Sequence, residues 1–138
     1  MLFLAGDFLN PSLLGSIKVD GERVRGKQMI EVMNAMNFDL VAFGNHEFDV
    51  SQKELQMRLN ESNFPWISAN INLKTEKGLT SFYKEINGQK QPIGKTFIKE
   101  FSDEDGTTIK IGFVSVCIPS NPKDFVVYDD MYEKISSS

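Results

Sequence analysis

Leu40-Val41-Ala42-Phe43-Gly44-Asn45-His46-Glu47-Phe48-Asp49 is the stretch on which the fold turns. Four apolar residues without a polar break read as a buried β-strand, and Gly44 stops it. A carboxamide, an imidazole and two carboxylates follow at once. Upstream, Leu2-Phe3-Leu4-Ala5 repeats the pattern and closes with Gly6-Asp7, as expected of a strand buried on both faces. Between them, Met29, Ile30, Met33 and Met36 recur at helical spacing over Gly26–Asn37, with Lys27, Gln28, Glu31 and Asn34 opposite. Asn37 suits the helix end. Residues 8–24 read as a loop with one short helical turn. The order is strand, loop, helix, strand: a βαβ unit with parallel, neighbouring strands and a right-handed crossover.

Downstream, Ser51 caps a second helix over residues 52–61, with Leu55 and Leu59 one turn apart. Phe64–Asn70 is a third strand candidate. Residues 71–95 are polar and turn-rich, with Asn87-Gly88 as the turn of a hairpin that begins with Phe82–Ile86. Thr96–Phe101 and Thr107–Val116 form two further strands. The second passes from alternating to fully apolar and is expected to enter the core. Residues 119–138 read as loop and a frayed end. The expected class is α/β, a βαβ unit with further strands and a hairpin.

The bulk properties narrow the function. A chain of 138 residues fits one domain. Its net charge of −4 offers no basic surface to nucleic acid or anionic lipid. Phosphate binding by an acidic protein calls for a local cationic or helix-terminal site, or for a metal ion. The single cysteine, Cys117, lies in an apolar run, reads as packing and rules out an internal disulfide. No run reaches the roughly 18 apolar residues of a membrane helix. Residues 1–5 carry no signal-peptide pattern. Because they enter a strand directly, Met1 reads as an internal methionine of a longer frame.

In open α/β sheets, ligands sit beyond the carboxyl ends of the strands. Parallel neighbours lie about 4.8 Å apart, so Asp7 and Asn45, each just past a strand, share an edge. A carboxylate beside an amide oxygen suits Mn²⁺, Mg²⁺, Fe²⁺ or Zn²⁺. Asp7 has the chemistry to bridge a pair of cations. His46, the only histidine, has three possible roles: ligand, proton donor, or stabiliser of a transferring phosphoryl group. Asp49 can orient its ring. Each residue also has a bland reading. Gly-Asp is a common turn, Asp49 can prepare a helix N-terminus, and Asn45-His46 can be an Asx-turn. Glu47 reads as a solvated residue or a supporting one around the ligands. Asn60-Glu61-Ser62 matches a glycosylation acceptor by accident, at a helix end. The Met29/Met33/Met36 stripe reads as core. The cationic residues between 18 and 27 read as a solvated face, from which Arg23, Arg25 or Lys27 can reach substrate.

Gly6-Asp7, Gly44-Asn45-His46-Glu47-Phe48-Asp49 and Phe64-Pro65-Trp66-Ile67-Ser68-Ala69-Asn70-Ile71 together resemble the calcineurin-like metallophosphoesterases. The similarity lies with the 5′-nucleotidase and UDP-sugar hydrolase branch and covers most of residues 1–118. The resemblance implies an α/β sandwich, two divalent metal ions (Mn, Zn, Mg or Fe) and hydrolysis of nucleotide phosphomonoesters by in-line attack on phosphorus. It implies that Asp7 bridges both metals, that Asn45 binds one, that His46 is catalytic and that Asp49 is its partner. It also implies a periplasmic or extracellular parent protein.

The family's first motif, Asp-x-His, and its later histidines are missing, as is the C-terminal domain that holds the nucleoside. Residues 1–138 are therefore expected to be a partial catalytic domain, inactive alone, with a hydrophobic edge bared at residues 2–5. A phosphodiesterase, another small-molecule phosphatase, and a non-catalytic binding module of the same fold are the competing expectations. The sequence leaves oligomeric state and substrate-binding residues open.

Overall fold

Phe43 and its neighbours organise the centre of the protein. The computed structural model describes residues 1–119, 123–131 and 136. Strand β1 (Phe3–Leu4) is followed by a 3-10 turn at Leu13–Ser16 and a small hairpin, β2 (Lys18–Val19) and β3 (Glu22–Arg23). Helix α1 (Lys27–Ala35) leads into β4 (Leu40–Ala42). A 3-10 turn at Asn45–Asp49 and helix α2 (Gln52–Glu61) lead to β5 (Trp66–Ile67). Strands β1, β4 and β5 form one parallel sheet with β4 central. Phe3 faces Leu40 and Leu4 faces Val41, so the expected parallel βαβ unit is present.

Each helix is amphipathic for a visible reason. Helix α1 buries Ile30 and Met33, and Asn37 leaves it in the left-handed conformation, φ 54°. Because the helix stops at Ala35, Met36 is 51% exposed and the methionine stripe is only partly core. Helix α2 is closed by a reciprocal cap: the Glu54 amide donates to Ser51 Oγ, and the Ser51 amide to Glu54 Oε2. Leu55 and Leu59 turn inward. At its C-terminal end, the Ser62 hydroxyl donates to Leu59 O and accepts from Trp66 Nε1.

After β5 the chain departs from the expected loop. β6 (Ile71–Thr75) pairs with β7 (Gly78–Thr80), and β12 (Val126–Tyr128) adds to the other side of β6. Ile71 and Leu73 alternate with Asn72 and Lys74, so β6 buries one face. β8 (Tyr83–Ile86) and β9 (Gln89–Pro92) form the hairpin turned by Asn87-Gly88, both at positive φ. β10 (Thr96–Ser102) and β11 (Thr108–Val114) make a long antiparallel hairpin.

Four expectations need correction. The third strand candidate narrows to Trp66–Ile67, although residues 68–70 are buried. β1 is not buried on both faces: among the described residues it pairs with β4 alone, and Phe3 is 46% exposed. β11 does not enter the core either. Ile109 is 60% exposed: β10 satisfies the strand's hydrogen bonds, and on the face that Ile109 shares with Phe113 only the Phe113 end meets the central sheet, at Phe3. Only the following segment turns inward, where Cys117 is buried and exchanges two hydrogen bonds with the Asn70 amide. The frayed end expected at residues 119–138 is a strand at β12, while 120–122, 132–135, 137 and 138 lie outside the described residues.

The core is rich in aromatic rings. Phe43 lies 4.7 Å from Trp66 and 5.7 Å from Phe48, which in turn meets Phe82 at 5.7 Å. Burying each such side chain contributes about 1.5–3 kcal/mol. Phe43 and Phe48 flank residues 44–47, so this packing fixes the turn where the polar residues gather.

Candidate active site

The two strand-end loops touch. Gly6 takes φ +86° and Asp7 φ +62°, so the chain bends sharply after β1. A Cβ on Gly6 would lie 2.0 Å from the Gly44 nitrogen, and one on Gly44 would lie 2.2 Å from Asp7 Oδ1. Only two glycines permit so close an approach. Across the gap the His46 amide donates to Asp7 Oδ1 at 3.0 Å. The exposed carboxylate of Asp7 thus sits at the N-terminal end of the Asn45–Asp49 turn. Asp7, Asn45 and His46 occupy one rim, as parallel pairing of β1 and β4 demands.

Glu47 is not the solvated residue that its charge suggests. It is 0% exposed. Its Oε2 accepts from the amides of Asp7 and Gly44, both at 2.7 Å. Its Oε1 accepts from Phe8 at 2.8 Å and Leu9 at 3.2 Å. Four amides replace the water that a buried carboxylate loses, which is what makes the burial tolerable.

On the other side of the turn, His46 Nδ1 lies 2.7 Å from Asp49 Oδ2. An ionised carboxylate only accepts, so Nδ1 carries the proton. This hydrogen bond is the main reason the imidazole sits above its usual value. Burial opposes the rise, and the charges of Asp7, Asp49 and Glu47 reinforce it. Burial pushes Asp49 upward, but its bonds to His46 and Lys123 outweigh that and hold it below the ordinary carboxylate value. Lys123 Nζ stands 3.3 Å from Asp49 Oδ1.

Asp7 and Asn45 offer a carboxylate and an amide at one rim, a donor set that fits part of a hard divalent-cation site. Among the described residues no group of three or more His, Cys, Asp or Glu is placed to hold a metal ion.

No family model matches the chain. The bovine 5′-nucleotidase is 32% identical over 114 residues, which is 77% of this chain and 17% of that protein. A snake venom 5′-nucleotidase from Crotalus adamanteus is 31% identical over 116 residues, 82% of this chain and 18% of the relative. The crystal structure of calcineurin-like phosphoesterase YfkN from Bacillus subtilis superposes with a TM-score of 0.67 at 24% identity. It covers 99% of this chain and 42% of that one. The chain is related in sequence to these 5′-nucleotidases and shares its fold with a calcineurin-like phosphoesterase. It spans less than a fifth of the length of those two relatives.

Within this phosphoesterase fold the sequence-derived residues divide into two groups. Asp7, Asn45, His46 and Asp49 come together at the rim. The cations considered for substrate contact do not join them. Arg25 pairs with Glu54 at 3.3 Å and Lys27 with Glu31 at 3.8 Å. Arg23, Arg25 and Lys27 line a separate groove of about 890 Å³ against α2, to which no rim residue contributes. Sequence reasoning misses Lys123 and leaves Glu47 open between a solvated and a supporting role. Lys123 lies in a stretch with no pattern to single it out. Glu47 was detectable, because the amides after a Gly-Asp turn need an acceptor from somewhere.

Proposed function

We propose that residues 1–138 form part of the catalytic domain of a metal-dependent phosphomonoester hydrolase of the 5′-nucleotidase type, with nucleotides as substrates. The observation that carries this reading is the His46 amide donating to Asp7 Oδ1 at 3.0 Å, which makes one site of the two strand-end motifs. In the proposal, Asp7 and Asn45 are the residues that would hold the divalent cations, Asp7 through its carboxylate and Asn45 through its amide oxygen. Such cations, when bound, supply Lewis acidity toward a phosphoryl oxygen. His46 acts through Nε2, since Nδ1 is committed to Asp49. Water attacks phosphorus opposite the ester oxygen and the P–O bond breaks. The imidazolium hydrogen-bonds to the charge developing on the phosphoryl group or gives its proton to the leaving oxygen. Asp49 keeps the ring oriented and cationic, and Lys123 steadies Asp49.

The partial-domain reading rests on the donor set. Among the described residues one carboxylate and one amide leave a binuclear site short of ligands, and the chain spans less than a fifth of the curated 5′-nucleotidase relatives. An exported parent protein belongs to the same proposal, on the strength of the venom 5′-nucleotidase. Among the described residues no helix is long and apolar enough to cross a membrane.

The test combines Mn²⁺ binding, followed by water-proton relaxation, with AMP hydrolysis. The 138-residue chain is expected to bind Mn²⁺ weakly through Asp7, to lose that binding in Asp7→Ala and keep it in His46→Ala, and to hydrolyse no AMP. Mn²⁺ binding indifferent to Asp7→Ala overturns the ligand assignment. Robust AMP turnover that disappears in His46→Ala overturns the partial-domain reading.

A further inference from the structure

We propose that Glu47 is a positioning residue that locks the Asp7 loop to the Asn45-His46 turn, and so sets the spacing of the two metal donors; the metal-binding half of this inference rests on the function proposed above. Glu47 has no exposed surface, so it cannot touch substrate. What it touches is backbone. The successive amides of Asp7, Phe8 and Leu9 form a concave nest of N–H groups, the kind of feature that elsewhere captures an anion. Here the anion is Glu47, and its Oε2 also takes the Gly44 amide from the second loop. A single carboxylate therefore joins segments about forty positions apart in sequence.

That junction has a consequence for Asp7. A non-glycine residue at φ +62° stays there only if its surroundings hold it. The hydrogen bond from its own amide to Glu47 holds the backbone, and the turn leaves its carboxylate facing the His46 amide. Without the lock, Asp7 is free to relax away from the rim while the sheet beneath remains paired. Each Glu47 oxygen takes two N–H donors, which demands an acceptor at both ends of the group. Glutamine offers only one, and its NH₂ would oppose two N–H groups. Aspartate keeps the charge but is one methylene shorter, so it cannot span both loops fully.

The experiment uses amide hydrogen exchange by NMR on the 138-residue chain, together with Mn²⁺ affinity, for wild type, Glu47→Gln and Glu47→Asp. In wild type the amides of Asp7, Phe8, Leu9 and Gly44 are expected to be protected. In Glu47→Gln these four and His46 exchange faster by about tenfold or more, while β4 and α2 keep their protection. Mn²⁺ affinity falls about 10- to 100-fold, the range typical of a lost supporting contact. Glu47→Asp recovers part of both. A merely structural role would loosen all segments together and leave Mn²⁺ affinity of the folded fraction unchanged, and that result overturns the proposal. If Glu47→Gln does not fold, Glu47→Asp and the wild-type exchange rates decide. Wild-type amides at residues 7–9 exchanging as fast as free loop amides also overturn it. A wild-type chain that takes up no Mn²⁺ sinks the metal reading alone, because the exchange data still test the lock.

Discussion

The Gly44–Asp49 turn has one large apolar residue in six and strands β10 and β11 have seven in fourteen, yet the turn is sealed and the hairpin open. Phe43 and Phe48 are essentially inaccessible, whereas Ile98 is 68% exposed. The difference lies in where their polar groups find partners. The hairpin satisfies its backbone within seven facing pairs of its own strands, so nothing obliges it to dock. Phe113 against Phe3 at 4.8 Å, and Lys99 near Asp39 at 3.8 Å, tie it to the central sheet. The turn has no ladder of its own. Its stability comes from Glu47 reaching the Asp7 loop and from Phe48 reaching Phe43, Phe82, Phe125 and Tyr128. Burial follows long-range closure more than apolar content.

Phe48→Ala tests that contrast with the largest expected effect. Removing a fully buried ring from four aromatic neighbours should cost about 3–5 kcal/mol. The change reads out as a lower urea midpoint at unchanged slope. The loss would spread beyond one cavity, since Phe48 fixes the turn carrying His46 and Asp49. A loss below about 1 kcal/mol would mean the turn is held by its hydrogen bonds alone.

Much of this arrangement was readable before any coordinates. The two apolar runs closed by Gly-Asp and Gly-Asn-His implied neighbouring parallel strands, and the Asp7–His46 contact follows from that pairing. Ser51 marked the start of α2, and Asn87-Gly88 marked a hairpin. Local chemistry was enough in each case. Glu47 stays open between a solvated and a supporting role in the sequence, because its partners are amides that arrive only when β1 pairs with β4. Lys123 was overlooked because its role depends on a carboxylate far away in sequence. β11 is a strand as expected but stays out of the core, because alternation of Ile109, Ile111 and Phe113 shows that one face is apolar but not what lies opposite it. The Ile71/Leu73 alternation of β6 was available and was outweighed by the polar residues around it.

The ion pairs of the two regions sharpen the comparison at a smaller scale. His46 is raised above 6.5 and Asp49 lowered below 3.8 by their mutual hydrogen bond, with Lys123 adding to the second shift. A raised imidazole stabilises the folded chain fully below pH 6.5 and loses that contribution as pH climbs through its folded value. A lowered carboxylate contributes fully above pH 3.8 and fades as pH falls through its folded value. The pair therefore contributes most across the mildly acidic range between. Asp49→Asn should return the His46 titration midpoint, followed by ring-proton NMR, toward 6.5. It should also flatten both limbs of the stability profile. A midpoint that stays put would show that the neighbouring charges, not Asp49, hold the ring cationic. On the hairpin, Lys110 and Glu100 meet at 3.3 Å in full solvent contact, where such a pair contributes about 0–1 kcal/mol.

The smallest effect belongs to the hairpin's outer face. Ile98 points away from any packed layer among the described residues, so Ile98→Ala removes methyl groups that water already reaches. Its cost should stay within about 0.5 kcal/mol by urea denaturation, a tenth or less of the upper Phe48 range. The substitution also trims an exposed apolar surface to which Val114 contributes on the same face, so solubility should rise or hold. A loss of several kcal/mol would place Ile98 in a contact that forms in solution, such as a second copy seated on the hairpin. Concentration-dependent unfolding of the wild-type chain would then separate association from folding, because a dimer gains stability with protomer concentration and a monomer does not.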